Sequence, residues 1–148
     1  MEFIHVNIIS KNWKNLAEFY IKVFDCEPVL PERDLVGDWL DQATGLKDAH
    51  ISGVHLKLPG YEDGSPTLEI FQYNKKHKYK QSKKPNSLGY AHIAFKVNDF
   101  ERVEEEIVKA GGGIVGEVVK THIPGKGEIR FAYMTDLEGN IIEIQKQL

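Results

Sequence analysis

The sequence has a single cysteine, Cys26, so no disulfide can form within one chain. It also lacks long apolar runs, and no segment approaches the roughly 20 consecutive apolar residues that a membrane-spanning helix needs. The N-terminus does not have the basic-then-apolar order of a signal peptide. These absences predict a cytoplasmic protein with no membrane partner. With 148 residues, 41% of them hydrophobic, the chain is long enough for one compact domain with a substantial core.

Positive charge is scarce except in one segment. The net charge is −3, and six of the 19 Lys and Arg residues lie within residues 75–84 (KKHKYKQSKK). A nucleic-acid role would need a larger basic face than this, so we predict no nucleic-acid partner. Turn-forming residues follow at 85–89. We interpret residues 75–88 as a solvated linker between two modules, 1–74 and 89–148, rather than as an anion-binding patch.

Four residues in short alternating segments carry most of the functional information. His5 lies in FIHVNII and Glu69 in TLEIFQY, whereas His92 lies in YAHIAFKV and Glu143 in NIIEIQ. Alternation of this kind is typical of strands, in which successive side chains project from opposite faces. A single polar residue in such a strand would more often be a hydrogen-bonded structural group. Because the His-then-Glu order occurs in both halves, we instead predict a metal site of two imidazoles and two carboxylates.

The repeat extends beyond these four residues. After the first His strand, residues 10–12 can cap a helix whose apolar positions recur at helical spacing: Trp13, Leu16, Tyr20, Val23 and Phe24. After the second His strand, Asn98 offers a helix cap with Glu101 three residues on, and glycines at 111–113 end that helix. Three strands then follow in each half, at 28–31, 51–58 and 67–73 and at 114–120, 129–135 and 140–146. The pattern predicts an α+β fold of two βαβββ modules, with an insertion at 34–46 in the first.

These segments together resemble the vicinal oxygen chelate superfamily, which includes glyoxalase I, methylmalonyl-CoA epimerase, extradiol dioxygenases and bleomycin- and fosfomycin-resistance proteins. The similarity covers nearly the whole chain and rests on the two His strands, on LEIF around Glu69 and on DLEGNIIE, which ends at Glu143. It implies that the modules form a curved, barrel-like mixed sheet in which His5, Glu69, His92 and Glu143 hold one divalent metal ion. It also implies a homodimer, because in the resembled proteins a second chain often covers exposed sheet edges.

The donor set is chemically suited to a divalent ion. Two carboxylates balance its charge, and mixed nitrogen and oxygen ligation suits Ni, Co, Zn, Mn or Fe. Such an ion can bind two adjacent oxygens of a substrate and stabilise the enediolate formed when a neighbouring C–H proton leaves. Glu143, and less favourably Glu69, is the predicted carrier of that proton.

The order His, Glu, His, Glu is that of glyoxalase I, so the resemblance implies a lyase or isomerase acting on the adduct of a small 2-oxoaldehyde and a thiol. Ile9 and Tyr73 stand where bacterial glyoxalase I has an Arg and an Asn that help to hold glutathione. This departure favours a thiol other than glutathione. Two alternatives remain open: a ligand-sequestering protein of the bleomycin-resistance type, with or without a metal, and an extradiol-type dioxygenase, which uses two His and one Glu.

Three further residues are predicted to bind the small-molecule substrate: Arg130, Lys126 and Tyr73. Arg130 lies in a strand beside that of Glu143 and could anchor a carboxylate, although a salt bridge at the rim explains it equally well. Lys126, in PGKG, lies in a loop like one that closes over glutathione in the resembled enzymes, with a hairpin turn as the alternative. The remaining histidines are expected at the surface or behind the ligands: His50, His55, His77 and His122. Cys26 is given no catalytic role.

Overall fold

The structure, a computed structural model, describes residues 1–76 and 84–148 and forms two compact units, Met1–Lys78 and Tyr79–Leu148. Half of the predicted linker 75–88, residues 77–83, lies outside the described residues. Each unit contains one mixed sheet with an amphipathic helix on one face. None of the helices in the described part of the chain is long and apolar enough to cross a lipid bilayer.

The first unit has a four-stranded sheet in the order β1-β4-β3-β2. Its elements are β1 (His5–Ile9), α1 (Trp13–Phe24), β2 (Glu27–Val36), α2 (Asp38–Thr44), β3 (His50–Lys57) and β4 (Thr67–Tyr73). β1 runs parallel to β4, and the other pairs are antiparallel. The predicted strand 28–31 is too short, because β2 continues through a register irregularity between Val29 and Arg33. The insertion at 34–46 therefore supplies the end of β2 and the short helix α2.

The second unit has the same plan with one additional strand. Its elements are β5 (His92–Lys96), α3 (Phe100–Lys109), β6 (Gly113–Ile114), β7 (Val119–Ile123), β8 (Gly127–Thr135) and β9 (Ile141–Gln147). The order is β5-β9-β8-β6, with β7 also paired to β8 and β5 parallel to β9. The predicted single strand 114–120 is wrong, because two short strands pair with opposite ends of β8. Gly116, between them, is a residue that weakens a strand interior.

Helix α1 covers one face of the first sheet and thereby determines which face remains for polar side chains. The side chain of Asn12 caps the helix by accepting a hydrogen bond from the Asn15 backbone N–H at 3.3 Å. The buried side of the helix packs on β3 and β4, whose inward residues are fully or almost fully buried: Val54, Leu56, Leu68 and Ile70. Because side chains alternate along a strand, His5 and Glu69 project from the opposite face.

Helix α3 plays the same part in the second unit. Its cap is Asp99, which accepts a hydrogen bond from the Arg102 backbone N–H at 3.1 Å, one residue later than the predicted Asn98. Either residue type can supply the acceptor, and the one directly preceding the first helical residue takes the position. The buried side chains of the helix, Phe100, Val103 and Ile107, lie on the same side of the sheet as Ile142 and Ile144 of β9. His92 and Glu143 project from the other side.

The predicted α+β fold of two βαβββ modules is therefore confirmed in both units, with each sheet open within the described residues. We define the ligand face of a unit as the face of its sheet opposite α1 or α3. It carries His5 and Glu69 in the first unit and His92 and Glu143 in the second.

Gly53 of β3, on the ligand face of the first unit, leaves no room for a side chain against β4. A Cβ atom there would lie 2.2 Å from the Ile70 carbonyl oxygen and 2.5 Å from Phe71 Cδ1. Gly53→Ala is therefore expected to lower the free energy of unfolding by about 1–3 kcal/mol, as measured by urea denaturation. Gly116→Ala is the control, because a Cβ there meets no atom within 4 Å. Equal stability of the two variants would contradict the close approach.

Candidate metal centre

In the first unit, the carboxylate of Glu69 lies among three polar side chains on the ligand face. Strand register places Asn7 of β1 and His55 of β3 directly opposite it. His5 Nδ1 is 3.4 Å and His55 Nε2 is 3.3 Å from Glu69 Oε1, and Asn7 Nδ2 is 3.3 Å from Oε2. Only 9% of the Glu69 side chain is exposed. An almost buried carboxylate is thus surrounded by groups able to donate hydrogen bonds or to share an ion with it.

The second unit repeats this arrangement with different neighbours. Glu143 lies opposite Ala94 of β5 and Tyr133 of β8, and His92 precedes Ala94 by two residues, as His5 precedes Asn7. His92 Nε2 is 3.3 Å from Glu143 Oε2. The Tyr133 hydroxyl donates a hydrogen bond to Glu143; burial, the carboxylate charge and this hydrogen bond raise the pKa of Tyr133. The rings of His92 and Tyr133 are 5.1 Å apart.

The surroundings of His55 favour its neutral form. Burial lowers its pKa, the charge of Glu69 opposes that effect, and the charge of Arg33 adds to it. The Thr67 hydroxyl lies 3.5 Å from His55 Nδ1. When that hydroxyl donates to Nδ1, the single imidazole proton is on Nε2 and points to Glu69; this tautomer is inferred from the partners.

Each His–Glu pair has the separation expected of two ligands of one ion. Two donor atoms about 2.1 Å from an ion, at a near-tetrahedral angle, lie about 3.4 Å apart. The observed separations are 3.4 Å in the first unit and 3.3 Å in the second. In the ranges 1–76 and 84–148, no group of three or more His, Cys, Asp or Glu side chains is arranged to hold an ion. Each pair therefore fits as half of the predicted ligand set.

Arg130 is not brought to the His92–Glu143 pair. It lies three residues before Tyr133 on β8, so it projects from the opposite face, toward α3. Its guanidinium forms an ion pair with Glu101 and lies 4.3 Å from the centre of the Phe100 ring. This is the salt bridge that the sequence allowed as the alternative to a substrate anchor.

The other two predicted substrate-binding residues also have structural environments of their own. Lys126 lies in the hairpin turn between β7 and β8, where its backbone N–H donates a hydrogen bond to the Ile123 carbonyl at 2.9 Å. The turn is about 20 Å from Tyr133 along β8. Tyr73 shares the ligand face with Glu69 but packs against the cluster of Leu40, Ala49 and Ile51 beside α2. A substrate-binding role for either residue stays a prediction.

His50, His122 and Cys26 have other environments within their own units. His50 forms an ion pair with Asp34, and His122 Nδ1 lies 3.2 Å from Glu128 Oε1 in an exposed pair. His77 falls outside the described residues. Burial raises the pKa of Cys26 to about 12, with a further contribution from the charge of Asp25, so the thiol stays protonated and is a poor nucleophile.

Sequence reasoning missed Tyr133 and Arg33 on the ligand faces. Tyr133 could have been found by pairing the predicted strands 129–135 and 140–146 in antiparallel register, which sets it opposite Glu143. Arg33 pairs with Gly53 and shares a face with His55, but the predicted strand ended before it. In both cases the missing signal was pairing between strands rather than the pattern within one.

A sequence profile of the Glyoxalase/Bleomycin resistance protein/Dioxygenase superfamily matches residues 2–144. The chain therefore belongs to this superfamily, as the resemblance implied. None of the curated proteins compared with this chain matches it significantly.

Solved structures support the same fold over almost the whole chain. A glyoxalase family protein from Bacillus cereus is 22% identical, with a TM-score of 0.78, covering 100% of this chain and 93% of that one. A glyoxalase family protein from Enterococcus faecalis is 25% identical, with a TM-score of 0.62 and coverage of 97% and 96%. A glyoxalase I mutant from Zea mays is 20% identical, with a TM-score of 0.68, and the match covers 97% of this chain but 45% of that one.

Proposed function

We propose that this protein is a metal-dependent enzyme of the glyoxalase I type, which isomerises the adduct of a small 2-oxoaldehyde and a thiol. The observation that carries the proposal is the duplicated His–Glu pair. His5 and Glu69 in one unit, and His92 and Glu143 in the other, occupy the same register positions and have nitrogen–oxygen separations of 3.4 and 3.3 Å. A sequestering protein that works without a metal would not need two such pairs.

The four side chains would hold one divalent ion, with the half-sites supplied by one chain or by two chains of a homodimer. When bound, the ion supplies a Lewis acid for two adjacent substrate oxygens. The zinc-, nickel- or cobalt-type donor set of two imidazoles and two carboxylates supports this assignment. The chain belongs to the Glyoxalase/Bleomycin resistance protein/Dioxygenase superfamily, and the Zea mays glyoxalase I mutant is among the proteins with a similar fold.

Glu143 is the proposed base, because it is held less firmly than Glu69. Ala94 stands on β5 where Asn7 stands on β1, so Glu143 receives no amide hydrogen bond from that position. The Glu143 side chain is also more exposed than that of Glu69, at 16% against 9%. A carboxylate in this position can take a proton from one substrate carbon and return it to the neighbouring carbon. The isomerisation then consumes neither water nor an oxidant.

The ligand face of the first unit supports a substrate other than the glutathione adduct. Ile9, which is half exposed, offers no polar group, and Tyr73 is packed beside α2. Arg33 and Lys57 are cations that share this face with His55, and the guanidinium of Arg33 is suited to a substrate carboxylate. We therefore propose that the adduct carries a thiol with an acidic group near its reacting end.

Reconstitution with Ni, Co, Mn or Zn should give about one ion per complete set of four donors. Elemental analysis measures the metal, and light scattering counts the chains, with two expected. His5→Ala and His92→Ala should each lose most of the bound ion, because each removes one nitrogen donor. His122→Ala should bind like the wild type, because His122 forms an exposed pair with Glu128 rather than with the His92–Glu143 pair of its own unit. A folded wild-type protein that retains none of the four metals would overturn the proposal in favour of metal-free sequestration.

Glu143→Gln keeps one oxygen donor but loses a charge, so it is assayed at a metal concentration that saturates the site. Under that condition kcat should fall by on the order of a hundredfold or more from loss of the base. The assay uses hemithioacetals of methylglyoxal, first with glutathione and then with other cellular thiols. Glu117→Gln, an exposed position, is the matched control and should have wild-type kcat. Wild-type turnover by metal-loaded Glu143→Gln would reduce Glu143 to a ligand, and Glu69→Gln would then be the variant to measure.

One observation favours a second candidate, an extradiol-type dioxygenase. Glu69 Oε1 contacts two imidazoles and Oε2 contacts the Asn7 amide, so this carboxylate has partners without an ion. If Glu69 keeps them, His5 can still offer its other ring nitrogen, Nε2, because only Nδ1 faces Glu69. Together with His92 and Glu143 this gives two His and one carboxylate, the donor set typical of non-haem iron(II) oxygenases.

The two candidates predict opposite results for Glu69→Gln. In a dioxygenase, protein loaded with iron(II) in the absence of oxygen and then mixed with catechol and oxygen should develop the visible absorbance of a ring-cleaved product, and Glu69→Gln should retain it. In a glyoxalase-type site, the variant should bind metal more weakly because it loses a charged ligand. Absence of catechol cleavage by the iron-loaded wild type would exclude catechol as a substrate and remove support for this candidate.

A further inference from the structure

In both units, the residue opposite the ligand glutamate on the antiparallel neighbouring strand contacts its carboxylate. His55 of β3 is paired with Glu69 of β4, and Tyr133 of β8 is paired with Glu143 of β9. His55 Nε2 lies 3.3 Å from Glu69 Oε1. Tyr133 lies directly opposite Glu143, and burial, the charge of Glu143 and a hydrogen bond to it raise the pKa of Tyr133. The scaffold is duplicated at this position, but the chemistry is not: one unit supplies an imidazole and the other a phenol.

His55 is itself held in place on three sides. The Thr67 hydroxyl lies 3.5 Å from its Nδ1, and the Phe71 ring packs edge-on with 5.5 Å between ring centres. The His5 ring is also edge-on, at 6.4 Å. Only 22% of the His55 side chain is exposed. A side chain with so little freedom can hold its hydrogen-bond partner in one orientation, which is how groups behind a metal ligand strengthen binding.

Tyr133 restrains its glutamate through a single hydroxyl proton. Its ring packs against His92 and, at 6.0 Å, against Phe131. The other neighbouring strand offers Ala94, whose side chain cannot donate a hydrogen bond, whereas Glu69 has the Asn7 amide at the same register. Glu69 therefore lies directly opposite a polar side chain on both neighbouring strands, whereas Glu143 does so on only one.

We propose that His55 and Tyr133 are positioning residues that make the two glutamates unequal: His55 immobilises Glu69 as a permanent ligand, whereas Tyr133 orients Glu143 and leaves it free to leave the ion and carry a proton. This inference rests on the proposed metal centre. It assigns a role to two residues outside the ligand set, and it explains why one carboxylate can act as a base while the other holds its position.

The test uses full-length protein loaded with cobalt(II), whose visible spectrum reports ligand number and geometry. His55→Leu should weaken cobalt(II) affinity by about 10–100-fold in a chelator competition and alter the spectrum, because Glu69 loses its restraint. His55→Gln, which keeps one N–H donor, should restore most of the affinity. Tyr133→Phe should keep affinity within a few-fold of wild type while kcat falls with KM little changed. His122→Leu is the matched control, since it removes an imidazole from another cross-strand pair with a carboxylate, Glu128.

Three outcomes are distinguishable. Wild-type affinity and spectrum in folded His55→Leu, or equal effects of His55→Leu and Tyr133→Phe on affinity, would overturn the inequality while leaving the metal centre intact. Failure of the wild type to bind any ion would overturn the metal centre itself. If His55→Leu does not fold, Thr67→Val serves instead, because it removes the hydroxyl that sets the His55 tautomer. Thr67→Val should lower affinity in the same direction by a smaller factor, and an unchanged affinity would count against the proposal.

Discussion

Parallel pairing between the strand that carries the histidine and the strand that carries the glutamate is the constraint on which both half-sites depend. In each unit the glutamate lies beside the residue two positions after the histidine, so both side chains project from the face opposite the helix. A slip of one residue in either pairing would turn the glutamate into the apolar core and the isoleucines beside it toward solvent. The burial of Leu68, Ile70, Ile142 and Ile144 therefore holds the ligands in place. The same strand register therefore determines both the core packing and the positions of the four polar side chains.

The parts of this arrangement that depend on local pattern could be predicted from the sequence. Alternation predicted that His5, Glu69, His92 and Glu143 lie in strands, each on the face opposite its apolar neighbours, and helical spacing located α1 and α3. The parts that depend on pairing could not. His55 matches no family position, and only the β3–β4 register shows that it meets Glu69. Arg130 shows the same limit of sequence reasoning. It lies on the strand next to that of Glu143, but the alternation of β8 turns its side chain toward Phe100 and Glu101.

Duplication gives this fold two copies of one strand and helix arrangement, and the copies differ at the residues around the carboxylate. Asn7 corresponds to Ala94, and His55 corresponds to Tyr133. Such differences cost the scaffold little, because all four side chains project from the face that the helix does not cover. When the same arrangement is repeated with different neighbouring side chains, two residues of the same type can take different roles. Here one glutamate could hold an ion while the other moves a proton. The sequence repeat shows the common strand arrangement, whereas the proposed division of roles depends on the residues that differ between the two copies.

Helix α2 gives the first ligand face a boundary. Leu40 of this helix belongs to the cluster with Ala49 and Ile51 against which Phe71 and Tyr73 pack. These two residues follow Glu69 along the same face at intervals of about 7 Å. A molecule lying along β4 with its reacting atoms at Glu69 thus meets the helix shortly after it passes Phe71. If the proposed substrate binds at Glu69, the insertion at 34–46 limits how far it can extend along β4 beyond Phe71, and a longer group would extend the other way, past Thr67.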